Sequence, residues 1–166
     1  MTQGVLYIHS APRALAPHIE WAAHGVIGVP VRLRWDDQPM GRGLVRAELP
    51  WRGNEATGAR LVSALRGMGE VRFEVTQEAG SRSPGARWSC TPELGIHHAA
   101  TDHAGNTVLT EDQIRGCIER AAHAGSDPRH IRHELGVALG EAWDEELELY
   151  RHAGDGPPMR WLHRVS

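Results

Sequence analysis

Lysine is missing from this sequence: all eighteen basic residues are arginine. A P-loop is thereby excluded, because its G-x-x-x-x-G-K places an amine on the phosphates. The glycine fragments "GVIGVP" (25–30) and "GMGE" (67–70) complete no dinucleotide fingerprint either. So complete a skew toward arginine reflects a GC-rich coding genome. The formal net charge is −3, and the arginines alternate with Asp and Glu instead of forming one basic block. The field that gathers nucleic acid is therefore absent, and no nucleic-acid partner is expected. Cysteine is scarce too: Cys90 and Cys117 are too few for a disulfide framework, lack C-x-x-C spacing, and read as buried free thiols. Long hydrophobic runs are missing. "MTQGVLYIHS" has no basic leader and only a short apolar run, Val5 to Ile8, so neither a signal peptide nor a membrane anchor is expected, and the expected location is cytoplasmic. No low-complexity tract, disordered linker or convincing repeat interrupts 166 residues, a length suited to one domain that buries roughly 70% of its unfolded surface.

What is present is a succession of short periodic segments. "GVLYIHS" (4–10) is apolar on both parities, as a central strand covered on two sides would be. Leu15, His18, Ile19, Ala22, Ala23 and Val26 then recur at helical spacing, with Pro12 and Pro17 near the start and Ser10 or Ala16 as the cap. "VRLRWD" (31–36), "VRAELPW" (45–51) and "VRFEV" (71–75) each alternate apolar with charged residues, as half-buried strands do, and Leu61, Val62, Leu65 and Met68 form a second helical stripe. The order β-α-β-β-α-β predicts a ferredoxin-like half over 1–78. Its central strand 4–10 is flanked by 44–51 and 70–77, with 31–36 on the edge beside 44–51.

From 79 to 166 the pattern predicts a β-hairpin ("RWSCT", "GIHHAAT"), a helical hairpin and a final strand over 159–165. Thr110 and Gln113 form a capping box, and Leu109 and Ile114 a staple. Asp127 and Pro128 begin a helix that runs to about Tyr150. Since 4–10 is apolar on both faces and two helices cover one of them, this second half is expected to cover the other in part. The expected architecture is thus α+β, with two tightly packed halves that form one compact unit.

Chemistry is harder to find. Three histidines crowd into seven residues of "HHAATDH" (97–103), but His97 and His98 point to opposite faces of a strand and His103 lies in a turn, so they cannot chelate one ion. His98 is expected to pack and the other two to be solvated. His130, His133 and Glu134 share one side of a helix without matching a zincin motif, and Ser63 has no glycine elbow. No metal or cofactor is expected. The polar parities Arg32, Arg34, Arg46, Glu48, Arg72 and Glu74 look like cross-strand ion pairs.

Two stretches stand out as ligand-binding candidates. In "HSAPRALAPH" (9–18), His9, Ser10, Arg13 and His18 lie where a central strand meets a helix. That arrangement suits either an anion site or a capped helix start with a packed His18. "RHAGDGPPMRWLH" (151–163) brings Arg160, Trp161 and His163 after a tight turn, either as a binding surface or as a strand with a core Trp161. "GVLYIHSAPRALAPHIEWAA", "LVSALRGMGEVRFEVTQE" and "RHAGDGPPMRWLH", in this order, resemble an actinobacterial family recorded only as a domain of unknown function, over essentially the whole chain. The resemblance implies a cytoplasmic protein of a high-GC bacterium and brings no activity, cofactor or catalytic residue with it. The expected role is a non-catalytic binding or regulatory module that meets a protein partner, a second copy of itself or a small ligand. The alternative is a small enzyme, or a binder of an anionic metabolite, that uses the 9–18 turn.

Overall fold

The strand that is apolar on both parities lies at the middle of the sheet. The computed structural model describes residues 1–80 and 83–154. Its seven strands are β1 (Thr2–Pro12), β2 (Asp36–Asp37), β3 (Leu44–Gly53), β4 (Arg72–Gln77), β5 (Gly85–Thr91), β6 (Gly95–Thr101) and β7 (Thr107–Val108). They form one antiparallel sheet in the order β2-β3-β1-β4-β5-β6-β7, so a single sheet runs through both halves of the chain. β1 sits between β3 and β4, with β2 beyond β3, as the patterning predicts. The described residues contain five α-helices: α1 (Ala16–Ile27), α2 (Thr57–Leu65), α3 (Glu111–Ala124), α4 (Pro128–Leu139) and α5 (Glu141–Arg151). The final strand expected over 159–165 lies outside the described residues.

One face of the sheet carries the apolar core. Leu6, Ile8, Val45, Trp51, Phe73 and Val75 point toward α1 and α2 and are buried against Ile19, Ala23, Leu61, Val62 and Leu65. α1 begins differently from expectation. Neither Ser10 nor Ala16 caps it: Ser10 lies within β1, and a 3-10 turn (Arg13–Leu15) leads into the helix, with Pro17 in its first turn, where no amide hydrogen is needed.

The expected strand over 31–36 shrinks to Asp36–Asp37. Its alternation survives, with Val31 buried, Leu33 and Trp35 half-buried and Arg32 and Arg34 exposed, but most of the segment has no ladder. The cause is Glu20 on α1. Its carboxylate accepts the Leu33 amide at 2.9 Å and the Trp35 indole N–H at 3.1 Å, so the segment bonds to a helix instead of to β3. The Leu33 amide is the main reason the Glu20 pKa is lowered.

In the second half, β5 and β6 form the expected hairpin and the Thr110–Gln113 capping box is present. The staple does not bury Ile114, which is 41% exposed. The single helix expected from Asp127 to Tyr150 is broken at Gly140. There a left-handed φ of 80° ends α4, and an added Cβ would lie 2.5 Å from the His97 Nδ1. The break lets α5 turn across the face opposite α1 and α2, so the second half does cover that face in part. Leu147 is fully buried there, and the Trp143 indole donates to the Gly95 carbonyl at 3.0 Å. Cys90 and Cys117 are both buried free thiols.

Gly4 shows how closely β1 is held, because a Cβ there would lie 1.8 Å from the Thr76 carbonyl oxygen. Backbone cannot yield as a side chain tip can. Gly4→Ala is therefore expected to destabilise the fold by about 2–3 kcal/mol, seen as a lower urea midpoint with an unchanged slope. An unaltered midpoint would mean that β1 and β4 separate freely at this point.

Candidate functional site

On the face away from α1 and α2 the strands present polar side chains, and among the described residues the expectation that these pair across strands is met only at Glu74, which His9 of β1 approaches to 2.6 Å. Arg87 on β5 lies 3.7 Å from Glu74 on β4. The others reach elsewhere. Arg32 goes to Glu20, Arg34 to Asp36, Arg72 to Glu146 of α5 at 2.7 Å, and Arg46 to the Ala153 carbonyl at 3.1 Å. Glu48 makes no hydrogen bond or ion pair among the described residues. The sheet is zipped to α5 instead of to itself.

The centre of this network is Glu74, a carboxylate buried in the middle of the sheet. Its Oε2 receives His9 Nε2 at 2.6 Å and Arg151 Nε at 3.1 Å. Oε1 receives Arg151 Nη2 at 2.7 Å and the Ser89 hydroxyl at 3.3 Å. Burial alone would push its pKa up, but the hydrogen bonds from His9 and Arg151 and the Arg151 charge outweigh that and hold it at about 2. With an ionised carboxylate at Nε2, that ring nitrogen is the one that carries a proton and donates. Arg151 is held further by Asp144 and Glu148, and Asp144 also binds Arg87 at 2.5 Å.

His9 occupies an irregular point in β1. The register slips against both neighbours between Ile8 and Ala11, so Ser10 and Ala11 are both buried. The His9 carbonyl accepts from Gln38 Nε2 at 2.6 Å, and the same amide reaches the Tyr150 carbonyl at 3.2 Å. Gln38, almost wholly buried, thus ties β1, the β2–β3 turn and the end of α5 together.

α5 stops at Arg151, and among the described residues a cleft of about 720 Å³ lies over β1 and β3. Its floor is Tyr7, His9, Arg46 and Glu48. One wall is Arg34 and Asp36, and the other is Tyr150 and Arg151 beside Glu74. This volume lies within the range of small-ligand sites. Tyr7 stands between Glu48 and Glu74 in the strand register and stacks on His9, with ring centroids 6.0 Å apart. Burial first, then the two carboxylates, raise its pKa, so at neutral pH it is a phenol that can donate. Its hydroxyl has no hydrogen-bond partner among the described residues. On the wall, the Arg72 guanidinium lies over the Tyr150 ring, 4.7 Å from its centroid.

Of the ligand-binding candidates among the described residues, His9 alone lines this cleft. Ser10 faces the core, its hydroxyl buried without a partner among the described residues. Arg13 is bound to Asp37 at the surface, and His18 is exposed on α1. Arg160, Trp161 and His163 lie outside the described residues. The histidine-rich strand reverses its expected roles. His97 is the packed one, bound to the Ala138 carbonyl at 3.1 Å and stacked near Trp143, whereas His98 is exposed, though stacked on Trp88. Glu134 is taken by Arg120, and among the described residues no group of histidine, cysteine and carboxylate side chains is arranged to hold a metal. Arg46, Glu48 and Glu74 were visible in the sequence as the polar parity of their strands. The signal for a site was the placement of ionisable residues on inner strands, where pairing takes up the space.

A family model described as "Protein of unknown function (DUF3145)" matches residues 5–164. No curated protein and no solved structure matches the chain. No helix among the described residues is long and apolar enough to cross a membrane.

The depressed Glu74 pKa makes a pH prediction. Its folded value, about 2, lies below the ordinary carboxylate value of 4.5, so its contribution to stability is complete above about pH 4.5 and drains away as pH falls toward 2. Wild type should lose about 3 kcal/mol more than Glu74→Gln across that window in urea titrations. Equal acid dependence of the two proteins would show that the network does not hold the charge.

Proposed function

The chain belongs to the DUF3145 family, and for this member we propose a binding module that takes a small polar ligand into the cleft over β1 and β3. One observation carries the reading. The cleft floor holds polar groups, the Tyr7 hydroxyl and the Glu48 carboxylate, that have no partner among the described residues, beside a network in which Glu74 and Arg151 hold one another. A fold that satisfies a buried carboxylate four times over and leaves its neighbours open has polar capacity to spend on a ligand.

The N-terminal strand order, β2-β3-β1-β4 with α1 and α2 on one face, supports the finer ferredoxin-like description of this half. Sheets of that kind serve as ligand platforms in many unrelated settings, a likeness of fold and nothing more. The cleft differs from the 9–18 turn, where Arg13 already has Asp37. It shares only His9 with that turn. The exposed apolar side chains of Ile114 and Ile118 on α3 support a protein-contact role less directly, since nothing says what covers them.

Native mass spectrometry of the full chain, incubated with a small-molecule extract of the cells that express it, tests the reading. Wild type should retain a stoichiometric small molecule, and Tyr7→Ala, which removes the ring from the floor, should retain it at least about tenfold less well. Retention by neither protein, or equally by both, would overturn it.

A further inference from the structure

The charges that line the cleft also specify what chemistry would fill it. Among the described residues that line it, three guanidinium groups, Arg34, Arg46 and Arg151, face three carboxylates, Asp36, Glu48 and Glu74, so arginines and carboxylates balance. It is therefore unlike an anion trap, which concentrates positive charge, or a polyamine site, which concentrates negative charge.

These six groups are not equally engaged. Arg151 and Glu74 hold one another, and Arg34 lies 3.6 Å from Asp36 at the rim. Two charges on the floor have no charged mate among the described residues. Glu48 makes no hydrogen bond or ion pair, and the Arg46 guanidinium has only the neutral Ala153 carbonyl. They stand two residues apart on the same face of β3, with Cα atoms roughly 6–7 Å apart by strand geometry. Tyr7, opposite Glu48 in register, adds a hydroxyl and the edge of a ring.

A ligand that enters this floor displaces water from both charges. An anion would satisfy Arg46 but sit beside Glu48 and Glu74, and a cation would satisfy Glu48 and leave Arg46 bare. In either case one of the two floor charges gains no direct partner from the ligand, so a charge-assisted hydrogen bond goes unmade. A ligand that carries both charges leaves none unanswered. Resting on the binding-module reading, we propose that the ligand is a small zwitterion. Its ammonium lies between Glu48 and the Tyr7 ring, and its carboxylate lies on Arg46.

Calorimetric titration of the full chain tests this with glycine, β-alanine, 4-aminobutyrate and L-lysine, against butyrate, butylamine and inorganic phosphate as single-charge controls. At least one zwitterion should bind, and each control should bind at least about tenfold more weakly. Glu48→Gln, a change at an exposed side chain that should leave the urea midpoint in place, should weaken the zwitterion by about tenfold or more. Arg46→Gln, its folding checked by circular dichroism, should do the same. A control that binds as tightly as the zwitterion, or zwitterion binding untouched by Glu48→Gln, overturns the proposal. If no probe binds while native mass spectrometry still finds a small molecule lost in Tyr7→Ala, the zwitterion is wrong and the binding module stands. If both measurements are blank, both readings fall.

Discussion

A carboxylate in the middle of a sheet cannot stay charged there without partners, and Glu74 recruits its partners from three distant parts of the chain. His9 comes from β1, Ser89 from β5 and Arg151 from the end of α5. Removing such a charge from water costs several kcal/mol before any bond is made, and its hydrogen bonds offset that cost only when all of them form together. The network therefore does less for total stability than for placement. A register shift in β1 or a rotated α5 would leave Glu74 partly unanswered. Apolar contacts on this face are few, with Leu147 the only fully buried side chain of α5, so the ion pairs decide where α5 lies.

The placement of α5 in turn explains the cleft. Gly140 breaks the helical run and seats against His97, which aims α5 across β6, β5 and β4 toward β1. The helix ends when Arg151 reaches Glu74, and Gln38 fixes that end against the irregular point of β1. Beyond it, β1 and β3 keep a polar face on which no helix of the described residues lies. A longer α5 would lie across Tyr7 and Glu48. The break at Gly140 and the stop at Arg151 are therefore constraints on the site as much as on the fold.

How far the sequence disclosed this depends on which force acts locally. Apolar residues on both parities of β1 and alternation along β3 and β4 report burial, so strand identity and order were legible, and so was the Thr110 capping box, a contact between neighbours. The segment 31–36 kept its alternation yet formed almost no strand, because one carboxylate on α1 captured the Leu33 and Trp35 N–H groups. Periodicity records which side faces the core and is silent on where the backbone bonds go. Gly140 looked like one more residue of a helix, since its left-handed conformation answers to His97, over forty residues earlier. The site fell in the same gap. Glu74, Arg151 and Gln38 meet only after the sheet and α5 are assembled, so their spacing in the chain carries no sign of a cluster.

Whether such a cleft binds or catalyses depends on what stands beside His9. Its Nε2 is committed to Glu74, which leaves Nδ1 to act as a base. A base at work needs a nucleophile or a proton to remove. The hydroxyl next to it in sequence, Ser10, is turned into the core, and the nearest one in the cleft is Tyr7, whose pKa is raised. A raised pKa keeps the phenol protonated at neutral pH, so it can donate a hydrogen bond and supplies little of the phenolate a nucleophile needs. The groups on the floor are thus a donor that stays protonated, an anion and a cation, each fixed to a strand. Rigid strand positions favour recognition, since the groups spend no conformational entropy when a ligand arrives. The lining thus offers donors and acceptors to a ligand, the capacity on which the proposed binding role rests.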